Sequence, residues 1–193
     1  MVRQHSTSRP VGYPDQCETE VELVDGRRVH LRPIVPEDEA ELATAISRAD
    51  PDTLRRRFLG GAPPRSTQAL RRLVTVDYER RFALAAFDDH GTGIGIARYE
   101  GERTWPAVEV AVAVDPAWRG VGLGRELVTR VVQRAAEQGA DRLTADFYDD
   151  NLQVLGLLAE AQLPERRTLE HGVVADEVQL DDRAMARWAR PVA

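Results

Sequence analysis

Between Val108 and Leu127 an apolar, alternating segment (VEVAVAV) passes through Asp115-Pro116 into a bend carrying Gly120, Gly122 and Gly124, then into an amphipathic helical stretch. A strand that turns through glycines straight into a helix commits the chain to a mixed α/β layout with a helix N-terminus at a strand end. Glycines at that point let backbone N–H groups approach an oxyanion closely, and the helix dipole favours its negative charge. Arg119 and Arg125 flank the bend with fixed positive charge. This is the chemistry of a pyrophosphate seat; the bland alternative is a flexible strand-to-helix turn. The G-x-G-x-G spacing is not the G-x-G-x-x-G of a dinucleotide fold, and no βαβ unit precedes it. A Walker A loop needs a lysine, and all 26 basic residues are arginine. The ligand therefore bears phosphates but belongs to neither of those classes.

Other classes are excluded by composition. At 193 residues the length suggests one domain, or one domain with an extension, and 42% hydrophobic with 30% charged residues is ordinary for a globular protein. A net charge of −6 argues against a nucleic-acid partner, which wants a basic face. Cys17 has no disulfide partner, and His5, His30, His90 and His171 lack ligand spacing, so no metal site is expected. No apolar run approaches the ~20 residues of a membrane span. The polar N-terminus has no signal-like apolar segment, so a cytoplasmic location is expected.

Residues 1–18 lack periodicity and read as a mobile arm. Val21–Val24 and Arg28–Arg32 alternate around Asp25-Gly26, a hairpin signal. Pro36 with Glu37, Asp38, Glu39 and Glu41 marks a helix start. A short helix near Asp52–Leu59 carries Arg55, Arg56 and Arg57 outside its Leu54/Phe58 face; they read as solvated or as contacts to a ligand phosphate. Ser66 caps a third helix running through Thr75. Arg81–Phe87, Gly93–Tyr99 and Val108–Val114 read as an antiparallel meander. A helical stretch over Arg119–Gln138, a strand at Arg142–Tyr148, a helix at Asn151–Gln162 and strands at Arg166–His171 and Ala175–Leu180 follow. The tail Asp181–Ala193, with Met185 and Trp188, reads as a short docking helix.

On these residues the chain resembles the GCN5-related N-acetyltransferase (GNAT) family. Its coenzyme A loop has the form Q/R-x-x-G-x-G/A, matched by Arg119, Gly122 and Gly124. The order of elements fits over residues 20–180, and the leading hairpin and the E-V-A-x-x-V-D run look most like actinobacterial Pat-type protein lysine acetyltransferases. The resemblance implies a mixed, mostly antiparallel central sheet flanked by helices, with residues 19–182 as the acetyltransferase domain and 183–193 as a tail. It implies acetyl-CoA as cosubstrate, no metal, and an amine acceptor. The coenzyme-binding set would be Ala111, Val112 and Ala113 along the pantetheine arm, Arg119, Gly120, Val121, Gly122, Leu123 and Gly124 at the pyrophosphate, and Asn151 near the thiol. Asn151 is equally an N-cap.

An amine with a pKa near 10.4 must lose a proton before attacking at neutral pH, and a carboxylate beside the thioester can take it. Glu109 stands in an otherwise apolar strand, where partial burial would raise its pKa. Pat-type enzymes place their general base ten residues before the loop, which is Glu109 here. Its other reading is an outward-facing strand residue. Where many family members have a tyrosine to protonate the thiolate this chain has Leu158, which leaves the general acid unassigned, with Tyr148 and Tyr99 as conceivable substitutes. The expected activity is direct acetyl transfer to a primary amine, a protein lysine being favoured. The alternatives are a small-molecule acceptor (aminoglycoside, polyamine or amino acid) and an acyl-CoA-sensing module without catalysis.

Overall fold

The computed structural model describes residues 9–101, 105–161, 165–181 and 184–186. Eight strands form one sheet: β1 (Thr19–Glu22), β2 (Arg28–Pro33), β3 (Arg81–Phe87), β4 (Gly93–Gly101), β5 (Ala107–Val114), β6 (Arg142–Tyr148), β7 (Glu165–Glu170) and β8 (Val173–Gln179). Their spatial order is β1-β2-β3-β4-β5-β6-β8-β7. Every neighbouring pair is antiparallel except β5 and β6. A parallel pair needs a crossover, and the helix α4 (Leu123–Glu137) supplies it. That connection puts the N-terminus of α4 at the C-terminal end of β5.

The two faces of the sheet are covered differently. On one, Leu123, Leu127, Val131 and Val132 of α4 are fully buried with Val108 and Tyr99. Burying each such side chain contributes roughly 1.5–3 kcal/mol. The other face carries α1 (Glu39–Arg48), α2 (Pro51–Phe58) and α3 (Thr67–Val74), with Ile34, Val74 and Ala83 as a smaller core beneath them. The Ser66 cap is found as expected, and α2 has a cap at Asp50 that the sequence reading did not name. Asp50 accepts from the N–H groups of Asp52 and Thr53, and Ser66 accepts from that of Ala69. A further helix, α5 (Leu152–Ala161), follows β6.

Part of the segment read as an arm lies against the body. Tyr13 meets Tyr78 edge-on with ring centroids 5.7 Å apart, and Tyr13 and Cys17 pack on the main core. At the other end Ala184 is buried and Met185 packs beside it, while Trp188 lies outside the described residues.

The feature that makes a site is a parting of the sheet. Pairing of β5 with β6 covers only Ala107, Val108 and Glu109, opposite Arg142, Leu143 and Thr144. Beyond that rung β5 stays with β4 as far as Val114, and β6 stays with β8 as far as Tyr148. The two half-sheets diverge and open a gap at the C-terminal ends of the parallel strands.

Candidate active site

One wall of the gap ends in the glycine bend. Asp115 caps a 3-10 turn, its carboxylate accepting from the N–H of Ala117 at 2.9 Å. The chain then turns with Gly120 at φ +72° and Gly122 at φ +90°, a region that side chains disfavour. Gly122 is the N-cap of α4 and brings no side-chain acceptor to the first turn. The backbone hydrogen bonds of the bend run through carbonyls: Val24 N–H donates to Val121 O, and Glu126 N–H to Gly122 O. Among the described residues the amides of Gly120 to Gly124 find no acceptor outside the bend. Gly124 differs from its two companions, for a Cβ there would meet Val114 at an ordinary 3.6 Å and its φ is helical.

A brace the sequence reading missed comes from the β1–β2 turn. Arg27 lies over the Trp118 ring at 3.9 Å and donates to Ala117 O at 3.1 Å, while Val24 touches the bend. Its sequence signal is only the hairpin itself, since nothing local connects residue 27 to residue 118.

Arg119 turns inward. Its Nε donates to Val114 O at 3.1 Å, and Nη2 reaches the Thr53 hydroxyl and lies 3.7 Å from Asp50. It ties the end of β5 to the start of α2. The far side of α2 is tied to the other half-sheet. Arg55 and Arg56 pair with Asp150 at 2.9 and 3.2 Å, and Arg55 stacks over Tyr148 at 4.4 Å. The helix thus crosses the gap, and two of the three arginines read as solvated or phosphate-binding are fasteners.

Glu109 sits at the vertex where the strands part, cross-strand from Glu100 and beside Thr144. Strand alternation puts it with Ala111 and Ala113 on the face of α1 and α2, whereas Val108 and Val110 pack into the α4 core. Glu109 is exposed, so the expected partial burial does not occur. Ala111 and Ala113 line a cleft beneath α1 and α2, and Val112 packs toward α4. Asn151 is buried and caps α5, its Oδ1 accepting from Val154 N–H at 3.4 Å. Tyr99 lies on the opposite face, fully buried, with its hydroxyl donating to Glu79 O at 2.6 Å. It has no access to the gap, and Leu158 is likewise buried.

One cation of the cleft, Arg98, was not singled out in the sequence, and Arg57 was read there only as one of three arginines, solvated or phosphate-binding. Arg98 is 5% exposed on the cleft floor and donates to Glu100 at 2.6 Å. Burial lowers its pKa to about 10, against the opposing charge of Glu100. Arg57 lines the same cleft; burial lowers its pKa too, with Glu109 and then Glu100 pulling the other way. Arg98 had one legible signal, a lone cation in the apolar run GIGIARY. Among the described residues no group of three or more His, Cys, Asp or Glu side chains is placed to hold a metal ion. None of the described helices is long and apolar enough to cross a membrane.

Comparison with known proteins bears on the family and the fold. Residues 28–162 match the family described as acetyltransferase (GNAT) domain. The GNAT domain of S. lividans PAT superposes with a TM-score of 0.79 at 28% identity, covering 87% of this chain and 99% of that one. Acetyltransferase PA5475 of Pseudomonas aeruginosa is 32% identical over 61% of this chain, which spans 64% of that relative's length. The protein yncA from Salmonella typhimurium, solved with its cofactor acetyl-CoA, shares the fold at a TM-score of 0.62 and 19% identity, covering 86% of this chain and 98% of that one.

Proposed function

Because the chain belongs to the GNAT acetyltransferase family, we propose that it transfers an acetyl group from acetyl-CoA directly to a primary amine, a protein lysine ε-amine serving as acceptor. The observation that carries this reading is the parting of β5 from β6 just past Glu109, beside the uncapped N-terminus of α4. The amides of Gly120, Val121, Gly122, Leu123 and Gly124 would hold the pyrophosphate with the helix dipole behind them. The backbone of Ala111, Val112 and Ala113 borders the gap and would pair with the pantetheine arm as an added strand does. Arg119 would act by fixing the bend to β5 and α2, and Asn151 by fixing the start of α5.

In the transfer, Glu109 takes a proton from the incoming ammonium, directly or through a water, and the freed nitrogen attacks the thioester carbon. A strand amide polarises the carbonyl and stabilises the oxyanion. The C–S bond then breaks, and the leaving thiolate is protonated by solvent, since Leu158 provides no acid. The similarity to the S. lividans PAT domain and the residue runs shared with Pat-type enzymes favour the protein-lysine acceptor, and the net charge of −6 suits a cationic one.

The test is to incubate the protein with labelled acetyl-CoA and host lysate and follow the label. Transfer to lysines of other proteins is expected. The chain has no lysine, so self-labelling on an ε-amine does not confuse the readout. Label confined to small molecules would replace the acceptor assignment. No transfer, with coenzyme A still binding, would make the protein an acyl-CoA sensor.

A further inference from the structure

The cleft beneath α1 and α2 has a composition that an amine alone does not explain. Its walls are aliphatic and aromatic, including Leu42, Ile46, Leu54 and Phe58, yet the guanidinium groups of Arg57 and Arg98 open onto it, beside that of Arg48, which donates to Gly93 O at 2.8 Å. Arg98 spends Nη2 on Glu100 and Nη1 on Leu73 O at 3.4 Å, and its buried Nε has no hydrogen-bond partner. Arg57 has no hydrogen-bond acceptor among the described residues, and Glu109 and Glu100 act on it only through space.

Arg98 is paired with Glu100, but among the described residues none of the acidic residues lining the cleft is hydrogen-bonded to Arg57. Asp38 is engaged by Arg32 at 2.7 and 2.8 Å. Glu41 accepts from Gly93 N–H at 2.8 Å, and Asp115 caps its own turn. Glu100 is shared between Arg98 and Arg81, which stands 3.7 Å away. Half-buried guanidinium without an acceptor is costly, and a carboxylate is the partner whose geometry its fork matches.

We propose that Arg57, with Arg98 behind it, recognises a carboxylate carried close to the amine of the acceptor, and so makes this a transferase for carboxylate-bearing amines. The inference rests on the acyl-transfer reading above. Glu109 receives the ammonium end at the vertex of the gap, Arg57 the anionic end, and the apolar walls take the aliphatic stem between. Two sources offer the same chemistry: the α-carboxylate of a free amino acid, or an acidic side chain next to a lysine in a polypeptide.

The experiment measures kcat/KM for matched acceptors. One arm compares free lysine and leucine with their decarboxylated amines. The other compares lysine peptides flanked by aspartate with the same peptides flanked by asparagine. A preference of tenfold or more for the carboxylate member in one arm is expected, and the arm that shows it identifies the source. In Arg57→Gln that ratio should collapse toward one, while Arg57→Lys keeps part of it. Melting curves for both variants separate recognition from folding. A wild-type ratio near one in both arms, or a ratio that survives in Arg57→Gln, overturns the inference. Calorimetry with coenzyme A runs alongside: absence of heat sinks the acyl-transfer reading itself, whereas heat without carboxylate preference sinks only this one.

Discussion

Glu109 and Thr144 form the last rung of parallel pairing between β5 and β6. One residue further the strands have separated, so the carboxylate lies at the apex of a wedge whose sides are two half-sheets. The strand edges bordering the wedge are then open to an extended ligand, whose reactive end would arrive at the apex on the proposed reading. The placement follows from topology. The β–α–β crossover through α4 fixes the parallel pair and the α4 N-terminus together.

Glu109→Gln should lower kcat for acetyl transfer at pH 7 by about 10²–10³, within the usual range for a general base. Coenzyme A affinity should stay within about twofold, because the side chain lies on the opposite side of β5 from the α4 core. The deficit should shrink as pH rises toward the amine's own pKa near 10.4, where the nucleophile loses its proton without help. Equal rates for variant and wild type at pH 7 would remove the base from the mechanism.

The bend glycines should respond unequally. Gly122→Ala forces a side chain to φ +90°, costing about 1–2 kcal/mol, and should weaken coenzyme A binding about tenfold as the amides shift. Gly124→Ala replaces a glycine inside a helix where the Cβ has room, so the ligand-free protein should gain up to about 1 kcal/mol. Thermal melting and calorimetry on the two variants check both signs.

What was readable from the sequence was local chemistry. The Asp25-Gly26 hairpin, the Pro36 start, the Ser66 cap and the strand–glycine–helix run each depend on a few adjacent residues, and each is found in place. Chains of side chains that join distant residues were not readable. Arg27 reaches Ala117, Arg119 reaches Thr53, and Arg55 reaches Asp150, across 90, 66 and 95 residues. The alternation of β5 groups Glu109 with Ala111 and Ala113, but its exposure depends on where β6 leaves β5, a register effect that no window along the chain contains. Arg57 was grouped with its neighbours because helical spacing alone does not say that two arginines fasten the helix while the third lines a cleft.

Asp50→Ala should destabilise the protein by about 1 kcal/mol at neutral pH, the ordinary cost of losing an N-cap. The Thr53 hydroxyl and then its N–H hold the Asp50 carboxyl below the usual 3.8. A depressed folded-state pKa contributes stability above the unfolded value and loses it as pH falls through the folded one. Denaturant melts of variant and wild type should therefore differ by a constant amount from pH 7 down to about 4, and converge only below that. Because Arg119 also leans on this cap, coenzyme A affinity should fall in the variant as well.

The Arg32–Asp38 pair should show the opposite asymmetry between breaking and replacing. Asp38 is 9% exposed, grips Arg32 with two bonds of 2.7 and 2.8 Å, and accepts from Val35 N–H at 2.9 Å. Arg32 is also stacked over Phe87 at 4.2 Å, which fixes it in place when its partner is removed. Asp38→Ala should cost about 3 kcal/mol, because a guanidinium is left half-buried without its counter-charge. Replacing both residues with apolar ones of similar volume, Arg32→Met with Asp38→Leu, should recover most of that loss. Urea melts of the single and double variants measure the difference. Asp38 ends the turn into α1, one wall of the cleft proposed for the acceptor, so the single variant should raise the acceptor KM before it weakens coenzyme A binding. A double variant no more stable than Asp38→Ala would show that the pair acts through the turn alone.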